Sequence, residues 1–250
     1  MADLEKIGLG GGCHWCTEAV FQALRGVVKV EQGYVSSYHE NISFSEGIIV
    51  HFLPSEISLD ILIEIHLRTH KSTSSHSMRQ KYRSAVYTFS QEQSEKSSQI
   101  LKKLQSKFEK HIITEVLSFQ KFRASREEIQ NYYRNDPEKP FCKKFIDPKL
   151  EFLKNKFSKN LKPSSTQFVR DILNNFPIGY SEVWYLGKRY GVSKTEFNNG
   201  NSTKLYAEEL GGKIFISLNF YKTQNSMLLK PCEMPVDKVL HFLGHFKMLE

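Results

Sequence analysis

From Cys13 to Leu24, apolar side chains recur every three or four residues (Trp15, Ala19, Ala23, Leu24). This spacing puts one face of a helix against a core, and Gly26 offers a stop. Residues 6–9 ahead of it read as a short strand, and Gly10-Gly11-Gly12 allows a tight turn between the two. Residues 27–30 and 43–52 read as strands, the second rich in β-branched side chains (Ile48, Ile49, Val50). An amphipathic helix follows over 59–70, a strand over 82–89, a long polar helix over 91–111 and a strand over 112–117. A helix of weaker pattern covers 125–134, and 151–157 is the basic end of another.

The pattern then breaks. Residues 158–166 are polar, contain Pro163 and read as a linker. Beyond it, a short amphipathic helix over 167–176 precedes strand-like runs at 181–185, 190–192, 204–207 and 214–221. Asn199-Gly200 and Gly211-Gly212 mark turns between them, and a helix over 236–246 follows. This divides the chain into a domain over 1–157, a linker over 158–166 and a smaller α+β accessory domain over 167–250.

Composition narrows the classes. Of 250 residues, 40% are hydrophobic and 25% charged, which is globular rather than disordered. No apolar run reaches the ~18 residues of a membrane span, and residues 57–65 are broken by Asp60 and Glu64. The first six residues carry two acids and no apolar core, unlike a secretory signal. The net charge of +8 reads as a solvated basic surface. The aromatics Trp184, Tyr185, Tyr190, Tyr206 and Tyr221 read as sheet or core residues, so no nucleic acid and no membrane partner is expected. Four cysteines without a signal fit a reducing, cytoplasmic setting, where thiols are catalytic, redox-active or metal-bound.

The chemistry concentrates in Gly10-Gly-Gly-Cys-His-Trp-Cys16. A thiol at a helix N-terminus faces unpaired N–H groups and the positive end of the helix dipole, which favour the thiolate. Cys13 holds that position; Cys16 lies a turn deeper. The alternative is a buried pair of small hydrophobes. A zinc site lacks its second half, because Cys142 and Cys232 stand alone. His66 and His70 share one helix face without the intervening Glu of a zincin and read as ordinary helix residues. No metal and no cofactor is expected.

Gly-Gly-Gly-Cys-His-Trp-Cys-Thr-Glu-Ala-Val-Phe resembles the signature of the peptide methionine sulfoxide reductase A family. Four further blocks follow in family order: residues 26–34 ending in Gly33-Tyr34, residues 45–52 beginning Ser45-Glu46-Gly47, residues 82–87 beginning Tyr82-Arg83-Ser84, and Tyr132-Tyr133 with residues 140–150 around Cys142. Together they cover about residues 5–157. The resemblance implies thiol-dependent reduction of methionine-S-sulfoxide, free or in proteins, in the repair of oxidised proteins. Cys13 would attack sulfur and become a sulfenic acid. Glu46 would supply the proton from an apolar pocket, Tyr82 would hydrogen-bond the oxygen, and His14, Trp15 and Tyr38 would bind substrate, with Tyr34 the lesser choice for the second tyrosine. Cys142 would resolve the sulfenic acid to a disulfide that thioredoxin or a similar dithiol reduces. Cys16 and Cys232 are alternative resolving thiols.

There are departures. The family's catalytic Asp falls on Ser77, its aromatic after the nucleophile is His14, and its tail His appears as Ile129. Pattern and resemblance together predict an α+β fold with a mixed-sheet, ferredoxin-like reductase domain, acting as a monomer. The rival readings are a general Cys-X-X-Cys disulfide oxidoreductase and a structural or metal-holding binding module.

Overall fold

The computed structural model describes residues 4–223 and 226–249. The chain divides into two compact units, Met1–Lys162 and Pro163–Glu250. The first is built on a six-stranded mixed sheet. Its strands are β1 (Glu5–Gly10), β2 (Val27–Ser36), β3 (Ser45–Phe52), β4 (Ala85–Thr88), β5 (Glu115–Ser118) and β6 (Lys121–Ala124). They lie in the order β5-β4-β1-β3-β2-β6. Only β4 and β5 run parallel; the other neighbours are antiparallel.

Alternation along β1 and β3 decides the layers, because successive side chains leave opposite faces of a strand. Ile7 and Leu9 of β1 join Ile48, Val50 and Phe52 of β3 in one buried cluster. It also takes Val20, Phe21 and Leu24 of α1 (His14–Gln22 and its C-terminal turn), Leu62, Ile63 and Ile65 of α2 (Leu59–Thr69), and Ile100 and Leu104 of α3 (Gln91–Gln105). The opposite face buries Val35, Ile49, Ala85 and Tyr87. Ser58 and Ser90 cap α2 and α3 by accepting the amides of Ile61 and Gln93.

The differences from the sequence expectation have local causes. Strand β2 continues to Ser36, since Gly33-Tyr34-Val35 pairs with both β3 and β6. Strand β6 was not expected; its Lys-Phe-Arg-Ala sequence is an edge strand with one apolar side chain. Residues 125–134 form a 3₁₀ turn (Glu127–Ile129) and a single turn, α4 (Tyr132–Asn135), rather than one helix. A π-turn at Cys142–Ile146 then runs into α5 (Asp147–Lys156), which starts with Pro148 where a missing N–H does no harm. Residues 160–162 of the expected linker are tied to the end of α1: Arg25 donates to the Asn160 carbonyl at 2.7 Å and Lys162 to that of Ala23 at 2.8 Å.

The second unit is an antiparallel sheet of six strands in the order β11-β10-β9-β8-β7-β12. These are β7 (Gly179–Tyr185), β8 (Lys188–Phe197), β9 (Ser202–Glu209), β10 (Phe215–Lys222), β11 (Met227–Pro231) and β12 (Lys247–Met248). Helices α6 (Ser165–Asn175) and α7 (Val236–His245) contribute Val169, Leu173, Val239 and Phe242 to a core with Val183, Val192, Leu205, Leu218 and Phe220. Lys194 is buried beneath them. It donates to the carbonyls of Leu173 at 2.6 Å and Phe176 at 2.9 Å, which satisfies the C-terminal end of α6. Of the aromatics singled out in the sequence, Tyr185 and Tyr190 pack on Phe242, whereas Trp184, Tyr206 and Tyr221 are exposed.

Candidate active site

Strand β1 delivers the chain into the glycine turn, and close packing explains the turn's composition. A Cβ on Gly11 would lie 2.4 Å from the His70 ring, and one on Gly10 would lie 2.8 Å from the Arg83 carbonyl. His70 is held there by the Ser84 hydroxyl at 2.8 Å, and its Nδ1 donates to the His66 carbonyl. The two imidazoles stack at 4.1 Å between centroids. Burial pushes both pKa values down, that of His70 to about 4, so the rings are a neutral wedge under the turn. Among the described residues, no group of three or more His, Cys, Asp or Glu side chains could hold a metal.

Cys13 caps α1 from this turn and is half-buried. Its pKa is lowered. The Cys16 thiol is the main cause; burial works the other way, and the amides of Trp15 and Cys16 in the first helical turn add to the lowering. Cys16 is pushed strongly upward by the adjoining Cys13 and by its own burial, so it stays a protonated donor. Lys149 of α5 donates to the Thr69 carbonyl. Burial lowers its pKa, and the charges of Cys16 and Cys13 oppose that. The Lys149 side chain thus bears on both sulfurs.

Glu46 stands beside Cys13. Its Oε2 accepts the main-chain N–H of His14 at 3.2 Å, and its side chain is nearly buried. The His14 ring is buried as well: its Nδ1 donates to the Gly33 carbonyl at 3.0 Å, and Nε2 lies 3.8 Å from Glu46 Oε2. Across the ladder, Tyr34 is the register partner of Glu46, and its ring meets that of His14 edge-on at 5.4 Å. Tyr38, by contrast, is 48% exposed at the start of a 3₁₀ turn (His39–Asn41). Ser77 is exposed on another such turn (Ser77–Arg79). Tyr82 is half-buried, and its neighbour Lys81 extends an ammonium to 3.4 Å from Glu46 Oε1 and 5.1 Å from the Tyr82 ring centroid.

The other wall comes from residues 129–146. Trp15 stacks on Tyr132 and meets Phe141 edge-on at 5.3 Å. Cys142 is fully buried with Cys16, Ala19 and Ile146 in a cluster against which Cys13 also packs. Its Sγ donates to the Asp136 carbonyl at 3.4 Å, and burial raises its pKa. This segment is strapped to α1 by the buried Glu18, whose carboxylate accepts the Asn131 amide and the Gln32 side chain, each at 3.0 Å. Gln22 donates to the Asn131 carboxamide at 2.8 Å. Cys232 lies in the second unit, half-buried, where it accepts from Asn219 at 3.3 Å.

The first unit therefore gathers Cys13, Cys16, Cys142, Glu46, His14, Trp15 and Tyr82 in one neighbourhood. Tyr34, the lesser choice beside Tyr38 in the sequence, is the one that the register sets opposite Glu46, and Lys81 and Lys149 were not singled out. Continuing the β-pattern of 27–30 through Gly33 would have exposed the first; the other two carry only their places in the sequence, Lys81 next to Tyr82 and Lys149 downstream of Cys142.

A thiol of lowered pKa at a helix cap, an adjacent carboxyl group and a second thiol within the same cluster define a thiol-based reductase, and comparison with known proteins specifies its family. Residues 5–161 match the family described as Peptide methionine sulfoxide reductase, and the chain belongs to that family. It is 35% identical to a peptide methionine sulfoxide reductase MsrA of Trichodesmium erythraeum over 170 residues, covering 62% of this chain and 96% of the relative. It is 33% identical to an MsrA of Sulfolobus acidocaldarius, covering 61% and 95%. Among solved structures, Mxr1 from Saccharomyces cerevisiae in reduced form shares the fold with a TM-score of 0.50, at 23% identity and with 56% and 90% coverage. The activity is reduction of methionine sulfoxide, on an α+β fold with a mixed sheet.

Proposed function

We propose that this reductase acts on the S-epimer of methionine sulfoxide, free or in proteins, with Cys13 as nucleophile, Glu46 as proton donor and Cys142 as resolving thiol. The observation that carries the assignment is the Cys13 thiol, lowered in pKa at the cap of α1, with the Glu46 carboxylate bonded to the very next amide. The strand order β4-β1-β3-β2 within the sheet supports a ferredoxin-like arrangement, in which the β1–α1 turn opens beside the middle strands.

The Cys13 thiolate attacks the sulfoxide sulfur. Two electrons pass to that sulfur, oxygen moves to Cys13 with one proton delivered through Glu46, and methionine leaves. Tyr82 and Tyr34 hydrogen-bond the oxygen, and Trp15 with Tyr132 receives the methyl group. The Cys142 thiol then attacks the sulfenic sulfur, releasing water and forming a Cys13–Cys142 disulfide, which a dithiol protein such as thioredoxin reduces. The four free thiols suit a cytoplasmic setting. Cys16, in the same cluster, is the competing resolver.

Mass mapping after one equivalent of a methionine-S-sulfoxide peptide tests the assignment. A Cys13–Cys142 link and complete loss of methionine release in Cys13→Ser are expected. A Cys13–Cys16 link would replace the resolver, and methionine release by Cys13→Ser would remove the nucleophile.

A further inference from the structure

We propose that Lys81 is a further catalytic residue of this reaction: its ammonium, seated between the Glu46 carboxylate and the Tyr82 ring, donates a hydrogen bond to the sulfoxide oxygen as Cys13 attacks sulfur. The proposal rests on the assignment of Cys13 and Glu46 given above.

The placement of Lys81 is built in at its root. Its carbonyl accepts the Glu46 amide at 2.9 Å and the Ser45 hydroxyl at 2.9 Å, while Ser45 in turn accepts the Arg83 amide at 2.7 Å. The main chain of Lys81 is therefore fixed against the residue whose carboxylate its side chain faces at 3.4 Å. The lysine end of this pair is solvent-exposed, which limits what the pair adds to stability.

The chemistry of the step supplies a use. An ammonium has three donors and no acceptor. The Lys81 ammonium stands 3.4 Å from Glu46 Oε1 and 5.1 Å from the Tyr82 ring centroid. The Lys81 side chain is 57% exposed while that of Glu46 is 8% exposed, which leaves the ammonium open to a ligand that reaches Glu46. Contact with the Tyr82 hydroxyl and the charge of Glu46 raise the Lys81 pKa, so the charge persists across the working range. As the Cys13–sulfur bond forms, negative charge grows on the sulfoxide oxygen, and a fixed cation aimed at it is worth more in the transition state than in the ground state. Atoms and electrons balance without Lys81 being consumed. The Cys13 sulfur loses two electrons, the methionine sulfur gains two, the proton on the resulting sulfenic acid comes from water by way of Glu46, which takes it up and hands it on, and Lys81 ends as the ammonium it began.

Single-turnover methionine release from the full chain, without added reductant, tests this with Lys81→Met, Lys81→Arg and Lys81→Ala. We expect Lys81→Met to slow the step about 10- to 100-fold at similar KM, Lys81→Arg to stay within about threefold of the parent, and ethylammonium to restore part of the loss in Lys81→Ala. Iodoacetamide labelling of Cys13 at the parent rate shows the variants are folded. A Lys81→Met rate within twofold of the parent overturns the proposal. So do equal losses in the Met and Arg variants without amine rescue. The underlying assignment fails separately, and takes this proposal with it, where Cys13→Ser still releases methionine.

Discussion

The indole of Trp15 lies flat against the phenol of Tyr132, with ring centroids 4.2 Å apart and planes 3° from parallel. The first helix of the chain and its late tail thereby build one aromatic surface beside Cys13. Such a pair is worth about 0.5–1.5 kcal/mol beyond buried area. Tyr132→Ala should raise KM for a methionine sulfoxide peptide about 2- to 13-fold and shift Trp15 emission, with the iodoacetamide rate of Cys13 unchanged. Steady-state kinetics and fluorescence check this. An unaltered KM would place the methyl group elsewhere.

The Cys16 thiol is the main cause of the lowered Cys13 pKa, so its removal has a direction. Cys16→Ala should move the midpoint of Cys13 alkylation upward. At neutral pH the labelling rate should fall about fivefold, the equivalent of one hydrogen bond of about 1 kcal/mol. In the parent, reactivity should be lost as pH drops below the depressed Cys13 pKa. Rates measured against pH give both midpoints.

Glu18 titrates the other way. Burial raises its pKa in the folded chain above that in the unfolded chain, against the pull of its hydrogen bonds. The folded state therefore binds more protons in that window. The Glu18 contribution is fully present below the unfolded pKa and is lost as pH rises through the folded one. The melting temperature of the parent relative to Glu18→Gln should decline from pH 4 towards neutrality. A difference independent of pH would show that the strap to Asn131 holds without a shifted carboxyl.

Gly11→Ala should be destabilising by about 1–3 kcal/mol, since its methyl group would meet the His70 ring and the surroundings are already packed. Denaturant unfolding measures the loss. Slower alkylation of Cys13 should accompany it, because the turn sets the position of the cap.

How much of this could be read along the chain depends on where each signal lies. The position of Cys13 was legible, because three glycines followed by a helical period place it at a cap without reference to the rest of the fold. Glu46 and Cys142 were legible only through the resemblance, since each has an ordinary local sequence. The pairing of Tyr34 with Glu46 is a matter of register across β2 and β3, which no single window contains. Strand β6 escaped because a four-residue edge strand with Phe122 as its one large apolar side chain shows no alternation to read. The stretch over 125–134 misled because its shape comes from contacts of Glu18, Gln22 and Gln32 with distant residues, not from its own periodicity.

The concealment of Cys142 has a chemical consequence. An electrophile or oxidant in solution meets the half-buried Cys13, while the fully enclosed Cys142, kept protonated by burial, is spared. With Cys142 as the proposed resolving thiol, the second electron pair of the cycle is kept in reserve for the sulfur that has already reacted, and stray chemistry in the surrounding medium does not spend it.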